Sequence, residues 1–249
     1  WDWVAEHFPD EYHIIAPDLR GHGDSQWMEG GTYMQLDYVY DIAQLLHQKD
    51  MRPVTIIGHS LGGSISLLYT SIYPENVKKL VAIEGLGPSP SMQEKLMAKP
   101  IGERIREWMG DLRKSSGRSA RRYPTLEDAF QRMQDENPHL SEAQARHLTI
   151  HGSNQNEDGT FSWKFDNYVR FFAFSGLPNN DLKKLWGDIK CPTLLVRGVE
   201  SWASDPVADG RTEYFNCPIE VEAFEKAGHW VHHDQLEGFV RRVRSFLAD

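Results

Sequence analysis

Residues 54–63 read VTIIGHSLGG. Val54, Thr55, Ile56 and Ile57 are all β-branched, which suits a pleated, packed strand. Beyond Gly63 the period changes: Ile65, Leu67, Leu68 and Ile72 continue as a helix that ends near Tyr73-Pro74, because proline cannot extend it. Between strand and helix lies Gly58-His59-Ser60-Leu61-Gly62, a G-x-S-x-G pattern in the strand–turn–helix setting of a nucleophile elbow. The tightness of such a turn calls for glycine at both ends, Gly58 and Gly62. It lifts Ser60 Oγ into the open at a helix N-terminus, where Leu61 N–H and the helix dipole can meet a developing oxyanion. The alternative is a glycine-rich loop before a helix whose serine merely caps it; a phosphate loop is excluded because no Gly-Lys-Ser/Thr follows.

Working outward, the segment Tyr12–Leu19, YHIIAPDL, is an apolar run closed by Pro17 and followed by the glycine-rich RGHGDS, the pattern of a buried strand entering a loop. Before it, WDWVAEHFPD has helical spacing at Trp3, Val4, His7 and Phe8. Thr32 to Gln35 gives a capping-box pattern ahead of Leu36, Val39, Ala43 and Leu46. Strands are expected at about 79–84 (KLVAIE), 192–198 (PTLLVRG) and 219–224 (IEVEAF). Strands alternating with helices predict a mostly parallel sheet covered by helices, an α/β fold.

From Gly85 to Ile189 the strand signal fades and helical spacing takes over. Ile101, Ile105, Trp108 and Leu112 share a face, as do Leu126, Phe130 and Met133, and Ser141 with Gln144 caps a further helix. The stretch 154–171, NQNEDGTFSWKFDNYVRF, interrupts them with a turn and a short extended piece. The expected organisation is therefore an α/β core at 1–84 and 189–249 with an inserted helical cap at 85–188.

Composition narrows the function classes. The 249 residues carry a formal net charge of -9, which repels phosphate backbones. The basic residues of ERIREWMGDLRK and GRSARR are interleaved with acids or confined to one short stretch, so no nucleic-acid partner is expected. No apolar run approaches the roughly 18 residues of a membrane span. Cys191 and Cys217 each precede a proline, lie far apart and form no metal-like cluster. They read as buried or inert thiols; no metal or cofactor is expected, and the cytoplasm is the expected compartment.

IIAPDLRGHGDS, IIGHSLGGSIS, CPTLLVRG and AGHWVHHDQ together resemble the α/β-hydrolase fold enzymes over nearly the whole chain, and among them the capped esterases and haloalkane-dehalogenase-like members. The resemblance implies an eight-stranded sheet, a site at the strand C-termini and a serine hydrolase with Ser60 as nucleophile. It implies a catalytic histidine in the loop after the last strand, which is His229; His232 and His233 fall in the helix VHHDQLEGFVRRVRSFL that follows. The acid usually comes three or four residues past the glycine of LLVRG, but Ser201 and Trp202 stand there and neither accepts an imidazole proton. Glu84, at the end of VAIE, matches an alternative strand end used in haloalkane-dehalogenase-like proteins; Glu200 and Asp205 remain open as rivals.

The family's second oxyanion donor follows a strand that has no counterpart ahead of Trp1. The chain opens without Met or signal peptide, and three further N-terminal strands are expected of the natural protein. Ser chemistry without a metal points to acyl transfer from an ester, thioester or amide to water. Trp27, Trp163, Phe171, Phe172, Trp202 and Trp230 supply aromatic surface. His59, Trp163, Trp202 and Trp230 are the candidate lining of a pocket for a small or medium hydrophobic ester. C–C bond hydrolysis and lactone hydrolysis use the same triad, and a non-catalytic receptor or scaffold is the alternative of another class.

Overall fold

The computed structural model describes residues 1–8, 12–28, 33–116, 120–171, 177 and 179–248. Thr32 of the expected capping box and Phe172 lie outside the described residues. The elements are α1 (Asp2–Ala5), α2 (Gln35–Gln48), β1 (Val54–His59), α3 (Leu61–Ile72), β2 (Val77–Ile83), α4 (Pro90–Ala98), α5 (Ile101–Ser116), α6 (Leu126–Glu136), α7 (Glu142–Gly152), β3 (Ser153–Gln155), β4 (Phe161–Trp163), α8 (Asn179–Asp188), β5 (Thr193–Gly198), β6 (Ile219–Phe224), α9 (Val231–Asp234) and α10 (Leu236–Ala248). They group into two compact units: one of residues 1–14, 35–99 and 175–249, the other of 15–34 and 100–174. Against the expected cap at 85–188, α4 and α8 group with the first unit and residues 15–34 with the second. No described helix is long and apolar enough to cross a membrane.

In the first unit four strands form a parallel sheet in the order β1-β2-β5-β6. β5 and the C-terminal half of β2 are almost continuously buried, as strands covered on both faces require, whereas the outer strand β6 has no fully buried residue. Val81, Ile83, Leu194 and Val196 pack with Val231, Phe239, Val243 and Phe246 from α9 and α10. α3 carries Ile65, Leu67 and Leu68 into the same unit at 2% exposure or less, so the helix after the elbow is anchored along its length. Burying each such side chain contributes about 1.5–3 kcal/mol, which offsets local strain at the turn.

Three expectations need correction. Tyr12–Leu19 is not a strand: a ladder needs a neighbour, and no described strand lies alongside it. Its Tyr12, Ile14 and Ile15 are exposed rather than buried. The N-terminal helix spans only Asp2–Ala5. The C-terminal helix is divided at Gln235, which leaves helical geometry (φ -129, ψ 48) and is held there by Nε2 donating to Lys226 O at 3.1 Å.

In the second unit α6 and α7 each begin with a reciprocal capping box, Thr125 with Asp128 and the expected Ser141 with Gln144. β3 and β4 form an antiparallel hairpin, which is the turn and extended piece expected within 154–171. The RGHGDS loop is tied to the residues after it: Gly23 N–H donates to Lys164 O at 2.7 Å and Asp166 N–H to Gly21 O at 2.8 Å. Gly23 lies at φ +55, and a Cβ there would meet the Asp18 carboxylate at 1.9 Å. Glycine takes that left-handed conformation without strain and spares the Asp18 carboxylate a displacement.

Candidate active site

Parallel strands end together, and the candidate site is built on that shared C-terminal edge. His59 pairs with Ile83 and Gly198 with Phe224, so the residues that follow β1, β2, β5 and β6 leave the sheet side by side. Ser60 is the first residue past β1. Its backbone stands at φ 53, ψ -114, a sparsely populated conformation for a residue with a Cβ. Ser60 N–H is held by Ile83 O at 2.8 Å and Ser60 C=O by Ser64 N–H at 3.0 Å, so sheet and helix together impose the turn.

The glycines around Ser60 are not equivalent. A Cβ on Gly58 would meet Gly62 O at 2.5 Å and Ser66 Oγ at 2.6 Å, and one on Gly63 would meet Gly85 Cα at 2.8 Å. A Cβ on Gly62 meets nothing within 4 Å. The expectation that tightness demands glycine at both ends is thus corrected: the close approaches are at Gly58 and Gly63. α3 leaves its first amides, including Leu61 N–H, without intrahelical partners at the open end of the turn.

Glu84 is the residue after β2 and also has positive φ, 49. Its side chain is wholly buried. A buried carboxylate needs donors, and it has three: Gly198 N–H to Oε1 at 2.9 Å, Ser201 Oγ–H to Oε2 at 2.5 Å, and His229 Nδ1 to the same Oε2. An acceptor-only carboxylate facing Nδ1 fixes the proton there and leaves Nε2 as the basic nitrogen.

His229 lies in the loop between β6 and α9. That loop is fastened by Gly228 N–H to Asp234 Oδ2 at 2.8 Å and by His59 Nε2–H to His229 O at 2.7 Å. Gly198 permits its approach, since a Cβ there would meet Gly228 O at 2.1 Å. The contact from His59 also ties the residue before Ser60 to the backbone of His229.

Of the rival acids, Glu200 is exposed, and Asp205 accepts Val207 N–H at 2.9 Å and faces Arg197 at 3.8 Å. His232 and His233 are buried in α9. Burial, and then the neighbouring histidine His59, pushes His232 well below the ordinary histidine range. Burial and the charge of His229 push His59 down to about 3, so both rings are neutral near pH 7.

Three of the expected pocket residues gather at His229. Its ring centroid is 4.6 Å from His59 and 5.2 Å from Trp202, and Trp230 lies 6.4 Å from His59. Trp163 belongs to the second unit, where its indole N–H donates to Tyr123 Oη at 3.1 Å. Burial raises the Cys191 thiol to about 11 and also raises Cys217. Among the described residues no three His, Cys, Asp or Glu side chains are grouped to hold a metal.

Two features escaped the sequence reading. One is Ser201 as a donor to Glu84; its signal was the hydroxyl in the place where an acid is usual. The other is Arg211, 3% exposed, which donates to Gly87 O at 3.1 Å and Ser204 Oγ at 2.8 Å and so joins the loop after Glu84 to the loop after Ser201. Its ion partner is Asp209, at 2.9 Å. Burial raises the Asp209 carboxyl, and hydrogen bonds from Arg211 and Ser204 more than offset this, leaving it below its ordinary value. No local pattern announces such a strut.

Comparison with known proteins places this geometry in context. The family described as alpha/beta hydrolase fold matches residues 1–236. A 2-hydroxy-6-oxo-2,4-heptadienoate hydrolase of Pseudomonas putida is 25% identical over 248 residues, spanning 100% of this chain and 83% of the relative. An esterase of Mycobacterium tuberculosis is 27% identical over 254 residues, covering 99% of this chain and 78% of the relative. Among solved structures, the thioesterase domain from the curacin biosynthetic pathway has a TM-score of 0.82 at 23% identity, covering 98% of this chain and 85% of that one, a likeness of fold.

Proposed function

The chain belongs to the α/β-hydrolase fold family, and from that premise we propose that it is a serine hydrolase cleaving a small or medium hydrophobic carboxylic ester through an acyl-enzyme. What carries the reading is the buried Glu84 carboxylate on His229 Nδ1, one strand from the elbow that presents Ser60. In this scheme His229 Nε2 takes the proton of Ser60 Oγ as the oxygen attacks the ester carbonyl. Negative charge moves to the carbonyl oxygen, and Leu61 N–H at the start of α3 donates to it. The imidazolium, held by Glu84, returns the proton to the departing alkoxide, leaving the acyl group on Ser60. Water then attacks the acyl carbon, His229 takes its proton and passes it to Ser60 Oγ, and the acid departs. The aromatic cluster of His59, Trp202 and Trp230 supports an apolar substrate.

The esterase relative agrees in reaction class. A second reading, hydrolysis of a C–C bond beside a carbonyl, is favoured by the relative named for 2-hydroxy-6-oxo-2,4-heptadienoate. The test is fluorophosphonate labelling together with hydrolysis of p-nitrophenyl butyrate and of a dienoate keto acid. Ser60→Ala abolishes label and turnover, and the ester turns over faster than the keto acid. A folded wild-type protein that takes no label at Ser60 sinks the catalytic reading in favour of a receptor or scaffold.

A further inference from the structure

In a chain of net charge -9, the second unit holds a cavity of about 110 Å3 walled by Arg121, Arg132 and Arg170, by the one acid Glu136, and by the rings of Tyr123, Trp163 and Phe165. We propose that this cavity binds a small organic carboxylate with a flat apolar body, a ligand distinct in chemistry from a neutral ester. The two guanidiniums that matter most are laid on rings: Arg121 sits 5.1 Å over Tyr123 and Arg170 sits 4.7 Å over Phe165. Stacking holds a guanidinium by its face and leaves its N–H edge directed outward, the edge that matches a carboxylate in a two-point fork.

Among the described residues no carboxylate is within ion-pair distance of Arg121 or Arg170. The acids nearby are engaged, Glu136 within the lining itself and Asp158 and Asp166 outside it. Asp158 takes Arg122 at 2.5 Å, Glu136 takes Arg132 one turn away on α6, and Asp166 accepts Tyr33 Oη at 2.7 Å and Tyr168 N–H at 3.0 Å. Burial, with Asp166 adding to it, raises the Tyr33 hydroxyl to about 12, so it stays a donor to Asp166 and does not compete for the arginines. The lining is therefore left with two unpaired positive charges against aromatic walls. The volume approaches the ~150 Å3 of a cavity that accepts benzene, which suits one ring or a short unsaturated chain rather than a bare inorganic ion.

The experiment is calorimetric titration of the full chain with benzoate, benzamide and inorganic phosphate. Benzoate binds saturably and more weakly as salt is raised, benzamide does not bind, and phosphate binds less tightly than benzoate. Protein whose Ser60 carries a fluorophosphonate label binds benzoate as the unlabelled protein does, which separates this cavity from the candidate active site. Arg121→Gln with Arg170→Gln weakens it at least about tenfold, the loss expected on removing charge-assisted bonds. Should that double variant fail to fold, Arg170→Lys serves instead, keeping the charge, losing the fork and weakening binding. Absence of benzoate binding, equal binding of benzamide, or affinity indifferent to the arginine variants overturns the proposal. So does phosphate binding tighter than benzoate, which would make the site one for inorganic anions.

Discussion

Replacing Glu84 by Gln changes one atom and tests the site's internal logic. The carboxylate accepts from Gly198 N–H on one oxygen and from both Ser201 Oγ–H and His229 Nδ1 on the other. An amide has a single acceptor oxygen. If that oxygen faces His229 and Ser201, the amide NH2 opposes Gly198 N–H, two buried donors face to face, at a cost of about 1–3 kcal/mol. The favoured arrangement keeps the oxygen on Gly198 and turns NH2 toward Oε2's former partners. Ser201 can rotate its hydroxyl and accept. His229 can accept only at a deprotonated Nδ1, which moves its proton to Nε2, the nitrogen needed as base. A wrong tautomer lowers kcat by about 10⁴-fold, or roughly 5 kcal/mol of barrier, with little change in fold because shape and burial are kept. The assay is kcat for p-nitrophenyl butyrate beside the rate of fluorophosphonate labelling, with thermal melting to confirm folding. A Glu84→Gln enzyme within tenfold of wild type, or a comparable loss in Glu200→Gln or Asp205→Asn, refutes the assignment.

Three further outcomes follow from the same geometry. Gly62→Ala folds and melts no lower than wild type, since its Cβ meets open space and alanine favours a helix by up to about 1 kcal/mol, whereas Gly58→Ala, aimed at Gly62 O and Ser66 Oγ, is sharply destabilised in thermal melts. His59 is held neutral, with its folded value near 3 against about 6.5 unfolded. The unfolded chain therefore binds the extra proton, and stability falls as pH drops from 6.5 toward 3. Between pH 7 and 5 that loss is about 2 kcal/mol, and urea titrations of His59→Leu show a correspondingly flatter dependence. Ser201→Ala lowers kcat by roughly tenfold at similar KM, the scale of one hydrogen bond to a charged group, and Ser201→Thr restores it because the hydroxyl, not the packing, positions Glu84.

The limits of the sequence are physical, and they differ between scaffold and site. The elbow was legible because its constraints are local: β-branched residues to Ile57, glycine where the chain doubles back, helical spacing from Ile65. The four sheet strands β1, β2, β5 and β6 were legible for the same reason. Tyr12–Leu19 misled because apolar residues report a tendency to be buried, while a strand exists only if a neighbour accepts its hydrogen bonds. The acid shows the same difference within the site. β2 and β5 are adjacent and parallel, Ile83 against Val196, with strands about 4.8 Å apart. A carboxylate after either strand can therefore approach the same imidazole, and residue type alone leaves Glu84, Glu200 and Asp205 in play. Three-dimensional facts separate them: Glu84 turns inward at φ 49 into a wholly buried place, and Gly198 and Ser201, at and just past the end of β5, turn their N–H and O–H groups to it. The strand end that usually supplies an acid supplies two donors to one instead. A hydroxyl at the usual acid position is thus itself a signal, pointing to a carboxylate one strand over.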